Sequence, residues 1–456
     1  MQLFSIGLIE RHPDYLIKLD SDGLPIQSYT QTDITELARV FTGWSYSVQA
    51  VGDGSSLGSV QNTEFEYKMQ SRSQKYHPYM VEPMKSFDDN GYDPSDRDYE
   101  IVRDQGEKIV LGETFPAGQT GEEDLAQIMG ILSDHPNTAP FISYRLIQRL
   151  VTSNPSSGYI YRVSTTFSES GGDLGATVKA ILLDPEARNL DKAQIIGYGR
   201  VQEPLVRTMS MFRLMDAEYN NEAEYPISSL SAHGLSATEL SYFENDVKRI
   251  SMSNSTVDSQ SSSYGQGPLA APTVFNWFLP NFSPAGPIAQ AGLVAPELQH
   301  MNASIATNYY NHFNSFAFTR GTNGPRGYAA VHDTDGPRIV LTDLPPAYDA
   351  YMSVMDTNND GTISELDSTF DNENAIRQAT AAMVDVYDLY VCDGWFKARA
   401  TGNAQTDPRE IIIDGISSIH DYNDGRTEER ALDARDQRLR ETLLIMFTAP
   451  QCMVQK

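Results

Sequence analysis

The stretch DTNNDGTISELD, Asp356 to Asp367, specifies a chemistry by residue type and spacing. A loop that wraps a calcium ion needs oxygen donors at its first, third, fifth, seventh, ninth and twelfth positions and glycine at its sixth. Asp356, Asn358 and Asp360 fill the first three donor positions, and Gly361 sits sixth. Thr362 offers its backbone carbonyl, Ser364 stands ninth, directly or through water, and Asp367 closes the loop. The spacing follows from the ion. A hard cation with oxygen bonds of about 2.4 Å collects six to eight oxygens, so the chain must turn sharply at the sixth residue with φ > 0. Ile363, at the eighth position, is apolar and suited to packing the loop inward. The alternative is a surface turn rich in Asp, Asn and Gly that holds no metal.

PPAYDAYMSVM, before the loop, reads as an entering helix with Tyr348, Tyr351, Met352 and Met355 on one side; Leu366 and Phe370 would begin the exiting helix. The closing Asp is shorter than the usual Glu and resembles the loops of dockerin-type and other extracellular calcium modules. No partner loop exists. HDTDGPR at 332 lacks the later ligands, and DYNDGR at 421 has Gly425 and Arg426 where the fifth donor and the glycine belong. An unpaired loop with three carboxylates implies weak binding, roughly 10⁻⁵ to 10⁻³ M, hence Ca2+ as a structural ion in calcium-rich surroundings rather than a signal.

Other chemistry is thinner. HExxH, P-loop and GxGxxG motifs are absent. His135, beside Asp134 in SDHPNTAPF, is a weak candidate catalytic residue: a general base, or a metal ligand. Otherwise it caps a helix or packs against a loop. PTVFNWFLPNFSPAG at 272 to 286 carries Phe275, Trp277, Phe278 and Phe282 among prolines. Such a run forms a groove for a glycan or a peptide, or an irregular segment pinned to the core by its rings.

The elements that must position these residues are mainly helical. TQTDITELARVFTGW is a helix capped by Thr32 or Asp33, with Ile34, Leu37, Ala38 and Phe41 on one face. EEDLAQIMGILSD places Leu125, Ile128, Met129 and Leu132 together. HPNTAPFISYRLIQRLV buries Ile142, Leu146, Ile147, Leu150 and Val151 and turns Arg145, Gln148 and Arg149 outward. GGDLGATVKAILLDPEAR and EPLVRTMSMFRLM are further amphipathic helices, and a last helix carries Leu432, Leu439, Leu443 and Met446. EKIVLGETF is a short strand pair or a loop. Residues 46 to 100, the Ser-rich 251 to 267 and the segment 321 to 337 read as long polar loops. The expected fold is mainly α: an irregular multi-helix globular body with long polar loops and an EF-hand-like helix-loop-helix insertion.

The 456 residues carry 61 Asp plus Glu against 34 Lys plus Arg, a net charge of -27, which argues against nucleic acid as a partner. It also argues against docking on anionic lipid. No apolar run approaches the ~20 residues of a membrane span. Cys392 and Cys452 form no CxxC motif, so zinc and thioredoxin-like chemistry have no support; whether they pair stays open.

Several segments together resemble the DUF1800 family of bacterial proteins: MQLFSIGL, YTQTDITELARVFTGW, GEKIVLGETF, HPNTAPFISYRLIQRLVTSNPSSGYIYRVSTTF, GDLGATVKAILLDPEAR, RVQEPLVRTMSMFR, GPLAAPTVFNWFLPNFSPAGPIAQAGLVAPELQ and LLIMFTAPQCMVQK. They cover most of the chain in the family's order. Each alone is weak. The resemblance implies no catalytic residues, because the family has no established activity. It implies that relatives continue upstream of MQLFSIGL, so this chain is expected to lack the N-terminal part of the family domain. It also implies an exported protein, extracellular or periplasmic, encoded beside DUF1501-family proteins, one of which is a candidate partner. Relatives often have His-Asp before GEK where this chain has Arg103 and Asp104. On these grounds residues 1–344 form a DUF1800-like helical body, 345–371 a calcium-loop insertion, and 372–456 the helices completing the body. The expected role is non-enzymatic, in assembly or binding at the cell envelope. The competing expectation is a hydrolase acting on polysaccharide or sulfated sugar.

Overall fold

The computed structural model describes residues 1–45, 84–86, 103–193, 195, 197–214, 218–220, 265–266, 271–318, 338–340, 345–370, 372–419 and 428–455. Most of 46–100, of 251–267 and all of 321–337 therefore lie outside the described residues. Helices dominate what is described, and the sheets are two-stranded. The chain divides into two compact units, Met1–Ile147 with Pro155–Arg188, and Gln148–Asn154 with Asn189–Lys456.

The first unit opens on an arm that folds back on itself through isolated bridges, Ile9 to Gln27, Arg11 to Ile17 and Leu19 to Pro25. Helix α1 (Gln31–Val40) follows. Its cap is Thr30, two to three residues earlier than the Thr32 or Asp33 that the sequence suggests; Asp33 is the third helical residue and reaches back to the Thr30 amide, closing a capping box. Strand β1 (Trp44–Ser45) pairs with β2 (Lys85–Ser86). EKIVLGETF resolves as a hairpin, β3 (Lys108–Val110) against β4 (Glu113–Phe115). Its two connecting residues, Leu111 and Gly112, both have positive φ, the requirement of a type I′ turn. Helix α2 (Gly121–Asp134) begins with a second capping box, Thr120 with Glu123. Val40, Val110, Phe115 and Ile128 meet in a small core. Met129, expected on that face, is exposed instead.

Arg103 lies fully inside this unit. Its guanidinium donates to the carbonyls of Val40, Thr42 and Thr120 and pairs with Asp124, which also accepts from Lys108 Nζ at 2.9 Å. Arg103 thus satisfies carbonyls at the C-terminal end of α1, where a helix leaves them without partners, and adds a second donor to the Thr120 carbonyl that caps α2. Helix α3 (Thr138–Leu150) runs across the division between the units, and α4 (Ser157–Glu169), α5 (Leu174–Leu183) and α6 (Pro185–Arg188) complete the first. Gln148, expected on the polar face of α3, is buried: its amide donates to the Ser153 carbonyl at 3.1 Å and the Pro280 carbonyl at 3.2 Å.

In the second unit come α7 (Leu190–Ala193), β5 (Arg200–Val201), α8 (Pro204–Leu214), β6 (Glu218–Asn220), α9 (Pro287–Gln290), a 3-10 turn at Pro296–Gln299, α10 (Ala303–Phe318) and β7 (Arg338–Val340), which pairs with β6. Helices α11 (Pro345–Met355), α12 (Glu373–Cys392), α13 (Trp395–Ala398), α14 (Pro408–Ser417) and α15 (Glu428–Thr448) build the main core. Tyr351, Met355, Ile376, Met383, Tyr387 and Leu443 are among its buried side chains. A second 3-10 turn, Pro450–Met453, leads to β8 (Val454–Gln455), antiparallel to β5. Cys392 and Cys452 form a disulfide, which answers what their spacing left open. Buried Arg207 on α8 donates to the carbonyls of Met446 and Phe447, in the last turn of α15 where helix carbonyls lack intrahelical partners, and of Cys452 in the turn that follows. Among the described residues no helix is long and apolar enough to cross a membrane.

Candidate metal centre

The loop Asp356–Asp367 leaves the end of α11 and is folded by its own side chains. Asp356 Oδ2 accepts from the Gly361 amide at 2.9 Å and its Oδ1 from the Asp360 amide at 3.2 Å. Asn358 Oδ1 accepts from the Asp360 amide at 2.9 Å, and Asp360 Oδ1 from the Thr362 amide at 2.9 Å. Each donor residue thus bends the following backbone around itself. Gly361 takes φ 88° with open space where a Cβ would stand, the conformation the sixth position requires. Ile363 is buried at 1% exposure in the main core, so the eighth residue anchors the loop as its pattern implies.

Asp367 clasps the loop. Its Oδ1 accepts from the Thr357 amide at 2.7 Å and the Asn358 amide at 3.2 Å, and its Oδ2 from the Ser364 amide at 2.9 Å. Burial works to raise this carboxyl, but the amide bonds from Ser364, Asn358 and Thr357 outweigh it and hold the group below the usual carboxylate range. Ser364 is buried as well.

Two features depart from the expected motif. Leu366 is 80% exposed and starts no helix; the next helix, α12, begins at Glu373 behind an Asn372 cap whose side chain accepts two amides. And among the described residues no three His, Cys, Asp or Glu side chains gather as a ready metal cage, so Asp356, Asp360 and Asp367 do not converge by themselves. The donor set nevertheless fits a hard cation, because Asn358, the Thr362 carbonyl and Ser364 add neutral oxygens to the carboxylates.

His135 sits at the C-terminal cap of α2, half-buried. Its Nδ1 accepts the Asn137 amide at 3.1 Å. Burial lowers its pKa, with Glu10 and Lys18 acting on it in opposite senses. The neighbouring Asn137 is the more engaged residue. It is 2% exposed; its amide donates to the carbonyls of Ile6 and Ile9 and to Ser28 Oγ, while its Oδ1 accepts the Arg11 amide at 2.7 Å. The motif HPNTAPF therefore fastens the N-terminal arm to the head of α3.

A second polar constellation, within the second unit, was not drawn from the sequence. Arg149 pairs with Glu203 at 2.7 Å, and the second Glu203 oxygen accepts the Gln266 amide. Glu297, in the 3-10 turn, is 1% exposed, and its Oε1 stands 3.9 Å from Arg149 and 3.8 Å from Arg200, beyond hydrogen-bond reach. Burial raises its carboxyl. Among the described residues, its Oε2 and the Gln266 Oε1 are buried without hydrogen-bond partners. The available signal was a set of charged residues inside apolar stretches, QRLV, GRVQEP and APELQ.

Compared with known proteins, residues 1–411 match a family model described as Protein of unknown function (DUF1800). No curated protein and no solved structure matches the chain.

Proposed function

The chain belongs to the DUF1800 family of proteins of unknown function, and from that premise we propose that it is an exported, non-enzymatic binding or assembly protein whose helical core carries one structural calcium ion. The observation that carries this reading is the amide-bonded loop at Asp356–Asp367, anchored by Ile363. Asp356, Asn358 and Asp360 would hold Ca2+ through their side chains, Thr362 through its carbonyl, Ser364 directly or by a water, and Asp367 at the close. The ion would neutralise carboxylates that repel one another and join the end of α11 to the segment before α12. It supplies no step of a reaction.

The compartment is argued from the disulfide. Cys392 and Cys452 are bonded and buried, and such bonds persist in oxidising compartments. An extracellular or periplasmic location supplies both oxidant and millimolar calcium, enough to occupy a site of roughly 10⁻⁵ to 10⁻³ M. The surface of this acidic chain would then face a partner protein, with DUF1501-family proteins the first candidates. Titration calorimetry on the wild type and Asp360→Ala tests the calcium site. Heat that saturates in the wild type and vanishes in the variant is expected; a wild type with no calcium-dependent heat sinks the proposal.

A further inference from the structure

The turn at 273–279 and the charged constellation beside it belong to the second unit and play no part in the calcium loop. We propose that together they form a recognition site for a neutral carbohydrate. The argument begins with hydrogen-bond accounting. Among the described residues Glu297 Oε2 and Gln266 Oε1 are buried acceptors that no hydrogen bond reaches. Buried polar atoms are nearly always satisfied, so two orphaned acceptors in one cluster call for a guest that brings donors.

Charge then narrows the guest. Arg149 and Arg200 face Glu203 and Glu297, two cations against two carboxylates. An anion would meet the carboxylates and a cation the guanidinium groups. A neutral polyol meets neither penalty, and each of its hydroxyls both donates and accepts.

The approach to the cluster supplies the apolar half of such a site. Arg149 is 42% exposed at its side chain, and its guanidinium lies 4.9 Å above the Phe278 ring. Phe278 ends a tight turn in which Thr273 Oγ1 accepts the Phe275 amide at 3.1 Å and Asn276 adopts φ 70°. The Leu279 amide ties the turn to Gln299 at 2.7 Å. That geometry leaves Val274 67% and Phe275 38% exposed, with Trp277 half-buried. Sugar rings present C–H faces that pack on aromatic surfaces while their hydroxyls reach acceptors, and Arg149 joins the two halves here, stacked on Phe278 and paired with Glu203.

The test uses the full chain and tetrasaccharides of glucose, mannose, galactose and xylose, read by saturation-transfer NMR and by tryptophan fluorescence. At least one should receive saturation. Phe275→Ala, at an exposed position, should weaken its binding roughly tenfold without moving the melting curve. Glu297→Gln should weaken it comparably. The proposal is overturned if no tetrasaccharide receives saturation, or if both variants leave binding intact. It is also overturned if sulfated or uronic oligosaccharides alone bind. Glu297→Gln raising the melting temperature while no sugar binds would mark the cluster as a water-filled structural site. EDTA should leave sugar binding unchanged, so failure here is distinguishable from failure of the calcium proposal.

Discussion

Replacing both Cys392 and Cys452 by alanine removes a crosslink between residues 60 apart in sequence, and the cost follows from that separation. For a closed loop of this length the chain-entropy relation gives about 4 kcal/mol at room temperature. Both sulfurs lie in the main core, with Cys392 5% and Cys452 3% exposed, so alanine adds a small packing loss of the same sign. The crosslink acts on the unfolded ensemble, so its removal should raise the population of open forms by roughly 10³-fold. Native-state hydrogen exchange resolved to α12 and α15 reads that population. Amides around Met383 and Leu443, buried at the centre of the core, should exchange about 10³-fold faster in the double variant. Amides of the first unit's hairpin serve as the internal control. If the central amides accelerate less than about tenfold, the crosslink is not what holds this core, and the entropic reasoning fails.

Ile363→Ala should destabilise the second unit by about 2 to 5 kcal/mol, read as a lowered urea midpoint, because it empties a fully buried site. Calcium at a hundredfold excess over its dissociation constant should add about 2.7 kcal/mol and raise the melting temperature; a curve indifferent to both calcium and EDTA contradicts a bound structural ion. Asn137→Asp should release the N-terminal arm more than Asn137→Ala does, since a carboxylate would face the Ile6 and Ile9 carbonyls; limited proteolysis within residues 10 to 28 shows it. Asp104 is hydrogen-bonded by Arg39 at 2.7 Å, which holds its carboxyl at about 2 against 3.8 when unperturbed. Because the folded value is the lower one, this stabilisation is present above about pH 4 and lost as pH falls toward 2. Melting curves over that range should lose less in Asp104→Asn, and 0.5 M salt should shrink the difference at this part-exposed pair.

What could be read in advance is what depends on near neighbours in sequence. The tight turns of the loop at 356–367, the packed face of α11 and the stop of the last helix before Pro450 are set within a dozen residues, where spacing and turn chemistry decide. Capping depends on as short a range but was placed too late, because Asp33 attracts attention and acts through Thr30 instead. The exiting helix was drawn at Leu366, yet Asp367 accepts loop amides through both of its oxygens and the chain turns again before Asn372 can cap. Gln148 and the Glu297 constellation escaped for another reason. Their partners, Pro280 for the one and Arg149 and Arg200 for the other, lie far away in sequence, and helical periodicity says nothing about them. The disulfide was open on the same ground.

Residues 446 to 455 reach back to the middle of the chain: Arg207 grips three carbonyls there, β8 pairs with β5, and Cys452 bonds Cys392. Arg207 is buried and meets those carbonyls across about 240 positions of sequence, |i−j| 239 to 245. Its charge has no such acceptors until they have been synthesised. The second unit must therefore wait, in an unclosed form, through the making of most of its own length, and only the arrival of its final segment lets the centre shut. The first unit, complete by Arg188, has no such dependence, so the two units differ in how much of the chain each needs before it can close.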